Sequence, residues 1–231
     1  MSIGQQIEVI QQNINEALSR RACSGMSAPQ VKLVAVTKNH GVAAMREAVD
    51  SGITTVGENR IQEAVGKKNQ LDRQVEWHLI GHLQTNKVGQ AVAAFDLIQS
   101  VDSERLAVAI NRIAAQQGKK QDVLLQVNIG NEETKFGVSP GELNKFAHFC
   151  SQLEHIRICG IMAIAPYYED VELVRPLFRE LYQLFSALKH SNLPNTAVQW
   201  LSMGMTNDYQ IAVEEGSNLV RIGTAIFGSR K

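Results

Sequence analysis

Cysteine is scarce and unpaired in this sequence. The three present, Cys23, Cys150 and Cys159, are odd in number and form no C-x-x-C spacing. That excludes a disulfide framework and predicts free thiols in a reducing compartment. An excess of charge of one sign is also lacking. The 23 basic residues balance 23 acidic ones, so there is no electrostatic footprint for nucleic acid or an anionic membrane. The N-terminal stretch is amphipathic and has no continuous apolar core, which excludes a signal peptide and a membrane span. Metal-ligand spacing is missing as well. His78 and His82 share a side of one strand, but no third ligand falls nearby and Gly81 ends the strand between them, so no zinc site is expected. These absences predict a soluble, cytoplasmic protein with neither nucleic acid nor membrane as a partner.

What remains is a chain of 231 residues, 44% hydrophobic, without a linker or low-complexity stretch. That length fits two small domains or one large α/β barrel, and the composition suits a substantial core. Ile3, Ile7, Ile10, Ile14 and Leu18 recur at three- and four-residue steps. They predict an amphipathic helix over 3–22, packed on the body of the fold. From Val31 onward, short strand-like runs alternate with helical patterns. Strands are expected around 31–38, 54–56, 76–82, 95–101, 122–128, 157–164, 199–205 and 218–224. Ser139 to Glu142 predicts a capping box with Pro140 at the first helical position. A helix over 172–190 tolerates Pro176 within its first turn or at a kink. Thr206 is the expected cap after the seventh strand. Eight such alternations favour one α/β domain over 1–231, a single parallel (β/α)8 TIM barrel. Counting also leaves the N-terminal helix to stand in for a missing last one.

Val34, Val36 and Lys38 share a strand face, because side chains alternate along a strand. An amine is thereby set at the end of an apolar wall, where partial desolvation favours its neutral, nucleophilic form. Such an amine is suited to imine formation with an aldehyde. In barrels of this kind the site lies at the C-terminal ends of the strands. Those ends carry Lys38 with Asn39, Glu58 with Asn59, His78 and His82, Asp102, Asn128, Met162, Ser202 with Gly204, and Arg221 with Gly223 and Thr224.

Two adjacent stretches suit a phosphate. Leu201 to Asp208 leads from a strand into a helix start, with Gly204 allowing close backbone approach. Arg221 to Thr224 adds a second glycine and a hydroxyl. A phosphate site after strands seven and eight recurs in barrel enzymes. An amine beside a phosphate cradle calls for a ligand that is both aldehyde and phosphate, and pyridoxal 5′-phosphate (PLP) is the obvious candidate.

At this point the chain resembles a known family, the PLP homeostasis proteins, whose barrels are similar to the N-terminal domain of alanine racemase. The matching stretches are Val34 to Lys38, Val56 to Asn59, Trp77 to Gln84, Gln126 to Ile129, Lys135 to Gly137, Leu201 to Met205 and Val220 to Gly228. The resemblance implies a covalent aldimine of PLP on Lys38. It implies Ser202, Gly204, Gly223 and Thr224 at the phosphate and Arg221 near the pyridine nitrogen. Asn59 would lie close to the cofactor, with His78, Ile80 and Met162 lining the pocket. Thr37 and Arg60 depart from the family pattern, where serine and an aromatic are common. Lys135 could meet a second phosphate or accept the aldehyde transiently, with a solvated loop lysine as the alternative.

Arginine is a donor only and cannot take the proton of a pyridine nitrogen, so the ring stays a weak electron sink. Racemisation needs an acid/base on each face of the carbanion. Alanine racemases, which this barrel resembles, take the second base from a further C-terminal domain, which is not expected here. Tyr167, Tyr168 and Tyr209 are substitutes in principle. The expected role is therefore binding, holding and handing over PLP in vitamin B6 homeostasis, without catalytic residues, by a monomer whose partners are PLP and PLP-dependent apo-enzymes. A weak amino-acid racemase is the alternative, and a regulatory module whose loaded state is sensed by another protein is a third reading.

Overall fold

The computed structural model describes residues 1–23, 30–132 and 134–228. Eight strands form the wall: β1 Lys32–Val36, β2 Thr55–Glu58, β3 Glu76–Leu79, β4 Leu97–Val101, β5 Gln121–Val127, β6 Ile156–Ala163, β7 Thr196–Ser202 and β8 Leu219–Ile222. Each neighbouring pair is parallel. β1 pairs with β2 (Val34 opposite Thr55) and with β8 (Val34 opposite Arg221), which closes the barrel. A strand covered on both faces can be apolar throughout. Val34 and Ala35 are accordingly fully buried, and so are Val123, Leu124 and Leu125.

The helices are α1 Ile3–Cys23, α2 Val42–Asp50, α3 Ile61–Lys68, α4 Val88–Ala94, α5 Glu104–Gln116, α6 Leu143–Ser151, α7 Arg175–Lys189, α8 Tyr209–Glu214 and α9 Thr224–Phe227. The stripe of α1 is buried at Ile7, Ile10 and Ile14. It packs against α2, α8 and α9. Asn13 Nδ2 donates to Tyr209 Oη at 2.9 Å, and the buried Arg21 guanidinium donates to the carbonyls of Val213 and Ser217. α1 thus fills the gap in the outer ring between the last and first βα units.

Several boundaries differ from the sequence pattern. β7 ends at Ser202, because the chain turns at Gly204 with φ +93° and Arg221 N–H bonds to Gly204 O at 3.0 Å. β3 ends at Leu79, although Ile80 N–H still bonds Glu58 O at 3.0 Å, and β8 ends at Ile222, where Gly223 leads into α9. The helix expected over 172–190 begins as a 3-10 turn, Val171–Val174, and Pro176 falls in the first turn of α7, where its missing N–H costs nothing. The capping box at Ser139 does not form. Its hydroxyl donates to the Glu142 carboxylate at 2.8 Å, and Pro140–Glu142 is a 3-10 turn ahead of α6. Thr206 does not cap α8 either; Asp208 holds that place and accepts from Met205 N–H at 2.6 Å. No helix among the described residues is long and apolar enough to cross a membrane.

Candidate functional site

A cavity of about 470 Å³ opens at the C-terminal ends of β1, β2, β3, β6, β7 and β8. That volume lies in the range of about 300–1,000 Å³ usual for small-molecule sites. Lys38 enters it two residues beyond β1, with Val36 beneath it on the same face. Asn59 and Ile80 come from the ends of β2 and β3, and Ile164 to Tyr168 from the end of β6. Residues 205–208 follow β7, and Arg221, Gly223 and Thr224 belong to the end of β8. The turn after Lys38 places Asn39 at φ +64°, and the His40 ring stacks on Phe227 with centroids 4.7 Å apart. That contact ties the first strand end to α9.

The ends of β4 and β5 are turned to other partners. Asp102 lies 3.2 Å from His82 Nδ1, and His82 stacks on Phe136. Asn128 Nδ2 bonds to the Glu132 and Lys135 carbonyls, shaping its own loop. Lys135 lies beside Glu132 and donates to Ala165 O at 3.4 Å. His78 and His82 therefore point to separate environments.

Of the predicted site residues, Lys38, Asn59, Ile80, Arg221, Gly223 and Thr224 meet in the cavity, while His78, Met162, Ser202 and Gly204 lie outside its lining. Met162 is fully buried in a cluster with Leu97, Leu124 and Cys159. His78 and Ser202 belong to a polar chain running through the barrel interior. Arg221 Nη1 donates to Ser202 Oγ and Nη2 to Ala163 O at 2.8 Å. Ser202 Oγ donates to Gln99 Oε1 at 2.6 Å. The Gln99 amide then faces His78 Nδ1 at 2.8 Å, so that nitrogen is the acceptor and Nε2 carries the ring proton. Nε2 lies 3.0 Å from Glu76 Oε1, close enough for attraction though poorly aligned for a hydrogen bond. Lys32 at the barrel floor completes the chain by pairing with Glu76.

These environments set the charges. Burial pushes the Arg221 guanidinium down to about 10, with the Asp208 carboxylate opposing. It remains a cation at neutral pH. Burial also lowers His78 against the raising effect of Glu76, which keeps the ring neutral. Asp208 in the cavity wall is raised by burial, partly offset by its bond from Met205 N–H and by Arg221. Cys150 and Cys159 are pushed up to about 12 by burial, as packed thiols are. The Cys23 side chain lies outside the described residues.

The two glycines do different work. A Cβ on Gly204 would stand 2.6 Å from Ala212 Cβ, so that glycine answers to α8 packing as well as to its positive φ. A Cβ on Gly223 would press on Val36 at 3.3 Å, in the cavity wall itself. Gly223 precedes the first N–H groups of α9, which have no partners within the helix. An amine, a guanidinium and a hydroxyl with free-standing N–H groups around one cavity fit an anionic aldehyde. Sequence reasoning missed Asp208 and Gln99; the available signal for the second was the polar pair Gln99-Ser100 inside a buried strand.

The family described as alanine racemase, N-terminal domain, matches residues 8–231. The PLP homeostasis protein of Aquifex aeolicus is 41% identical, covering 95% of this chain and 99% of its own. This chain belongs to the PLP homeostasis protein family. The protein of that name from Pasteurella multocida is 39% identical over 100% of this chain and 98% of its own. The solved structure of PipY from Synechococcus elongatus with PLP bound superposes with a TM-score of 0.79 at 38% identity, covering 92% of this chain and 100% of that one.

Proposed function

We propose that this protein holds PLP at the barrel mouth through a Schiff base to Lys38 Nζ, and serves vitamin B6 homeostasis as a carrier or reservoir. The observation that carries this reading is the meeting of Lys38, Arg221 and the Gly223–Thr224 corner in one cavity. When bound, the cofactor supplies an aldehyde, an electron-accepting ring and a phosphate. Lys38 takes the aldehyde carbon, releasing water as the carbon–nitrogen bond forms. Thr224 and the N–H groups opening α9 receive the phosphate, with Thr206 and Asn207 across the cavity. Asn59 and Ile80 flank the ring. Ser202 holds the Arg221 guanidinium from below, and His78 supports Ser202 through Gln99. A guanidinium at the ring nitrogen is donor only and leaves that nitrogen unprotonated, which disfavours transamination. PLP-dependent apo-enzymes are the partners this reading implies.

A second reading, a weak amino-acid racemase, is kept in play by Tyr167 and Tyr168, which line the same cavity. One experiment separates the two. Wild type and Lys38→Ala are given PLP, their visible spectra are recorded, and each is then offered L- and D-alanine. The carrier reading expects a visible band in wild type alone and no interconversion of the enantiomers. Steady interconversion would establish the racemase, and a wild type that stays colourless would overturn both.

A further inference from the structure

Both peptide units that flank Lys38 end in one ion cluster outside the cavity lining, buried at Lys67 and Glu58 and half-buried at Glu63. The carbonyl of Thr37 accepts from Lys67 Nζ at 2.6 Å. The N–H of Asn39 donates to Glu63 Oε1 at 2.6 Å. Lys67 joins these anchors, because its other bonds go to Glu58 Oε1 and Glu63 Oε1, each at 2.7 Å. Three donors on one ammonium thus have three acceptors. Thr37 Oγ1 adds a bond to Glu58 Oε1 at 2.5 Å.

Lys67 is only 7% exposed and Glu58 not at all. Burial raises the Glu58 carboxyl, and the bonds from Lys67 and Thr37 pull it back. Desolvating such charges is expensive and makes a buried pair poor value as a source of stability. A backbone held from both sides is what this cluster gains. None of Glu58, Glu63 and Lys67 lines the cavity that Lys38 enters.

We propose that Lys67 and Glu63 of α3, with Glu58 at the end of β2, are positioning residues that fix the turn carrying Lys38 and so aim its amine into the cavity. The inference rests on the reading of Lys38 as the cofactor's anchor. The cluster acts by removing backbone freedom that the Lys38 side chain would otherwise carry into its reaction.

The test measures how fast Lys38 forms an adduct with PLP and, separately, with pyridoxal, which lacks the phosphate. Adducts are trapped with borohydride and assigned by peptide mass. Variants are Lys67→Met, Lys67→Arg and Glu63→Ala, with Lys68→Met as a control, since Lys68 bonds Ala94 O from the same helix and leaves the Lys38 turn alone. An ångström of misplacement can slow a reaction about 100-fold, so Lys67→Met is expected to slow adduct formation by about 10- to 100-fold with both aldehydes. Glu63→Ala is expected to lose less, and Lys67→Arg to restore most of the rate. The pH profile of adduct formation should move in Lys67→Met and Glu63→Ala and stay put in Lys68→Met. Should Lys67→Met fail to fold, Glu63→Ala decides, because the buried Lys67–Glu58 pair survives in it. Wild-type rates and profiles in folded Glu63→Ala, or in folded Lys67→Met, would overturn the positioning role. A wild type without an adduct at Lys38 would instead overturn the function proposed above.

Discussion

Ser202 Oγ donates to Gln99 Oε1 at 2.6 Å and accepts from the Arg221 guanidinium. This hydroxyl is therefore engaged inside the barrel, one step below the cavity. It connects the one cation in the cavity wall that is buried to the 3% level with the neutral His78 further down.

Removing that hydroxyl takes from Arg221 Nη1 the acceptor it has on the barrel side of a guanidinium that is only 3% exposed. A hydrogen bond to a charged group is worth about 1.5–3 kcal/mol, so Ser202→Ala is expected to lose stability of that order. Urea unfolding checks this: the midpoint should fall while the slope stays unchanged. A wild-type midpoint would mean that Arg221 finds another acceptor and that the chain does not hold it.

Glu76 sets an acid limit. The His78 ring nitrogen first, and the Lys32 ammonium after it, hold its carboxyl down to about 2 against the opposing effect of burial. A folded value below the ordinary 4.5 means stability that is present above pH 4.5 and lost as pH falls toward about 2. Glu76→Gln removes that contribution, so its unfolding midpoint should fall less steeply than that of wild type across this window. Parallel curves would show that Glu76 contributes nothing to acid sensitivity.

Much of the site was legible because it follows strand periodicity. Lys38 and Arg221 sit on inward faces at strand ends, and a two-residue period suffices to place them. The rest depended on contacts between segments distant in sequence. Glu63 and Lys67 carry no signal in the sequence beyond their i,i+4 spacing on a helix. Only the docking of α3 over the end of β1 buries Lys67 and turns the pair toward the Thr37–Asn39 backbone. The family resemblance implied Ser202 at the phosphate and His78 in the pocket lining. Gln99, on the far wall, captures both from within. Strand ends were drawn too long at β3, β7 and β8, where the chain turns out of the ladder at Gly81, at Gly204 and at Gly223 ahead of α9.

The most direct test of the central claim is chemical. The protein is incubated with PLP, reduced with borohydride, digested and mapped by mass. The account predicts one modified lysine, Lys38, at near-stoichiometric yield, and no modification of that peptide when Arg221 and Thr224 are intact but Lys38 is replaced by alanine. Label spread over surface lysines with Lys38 unmodified would contradict it.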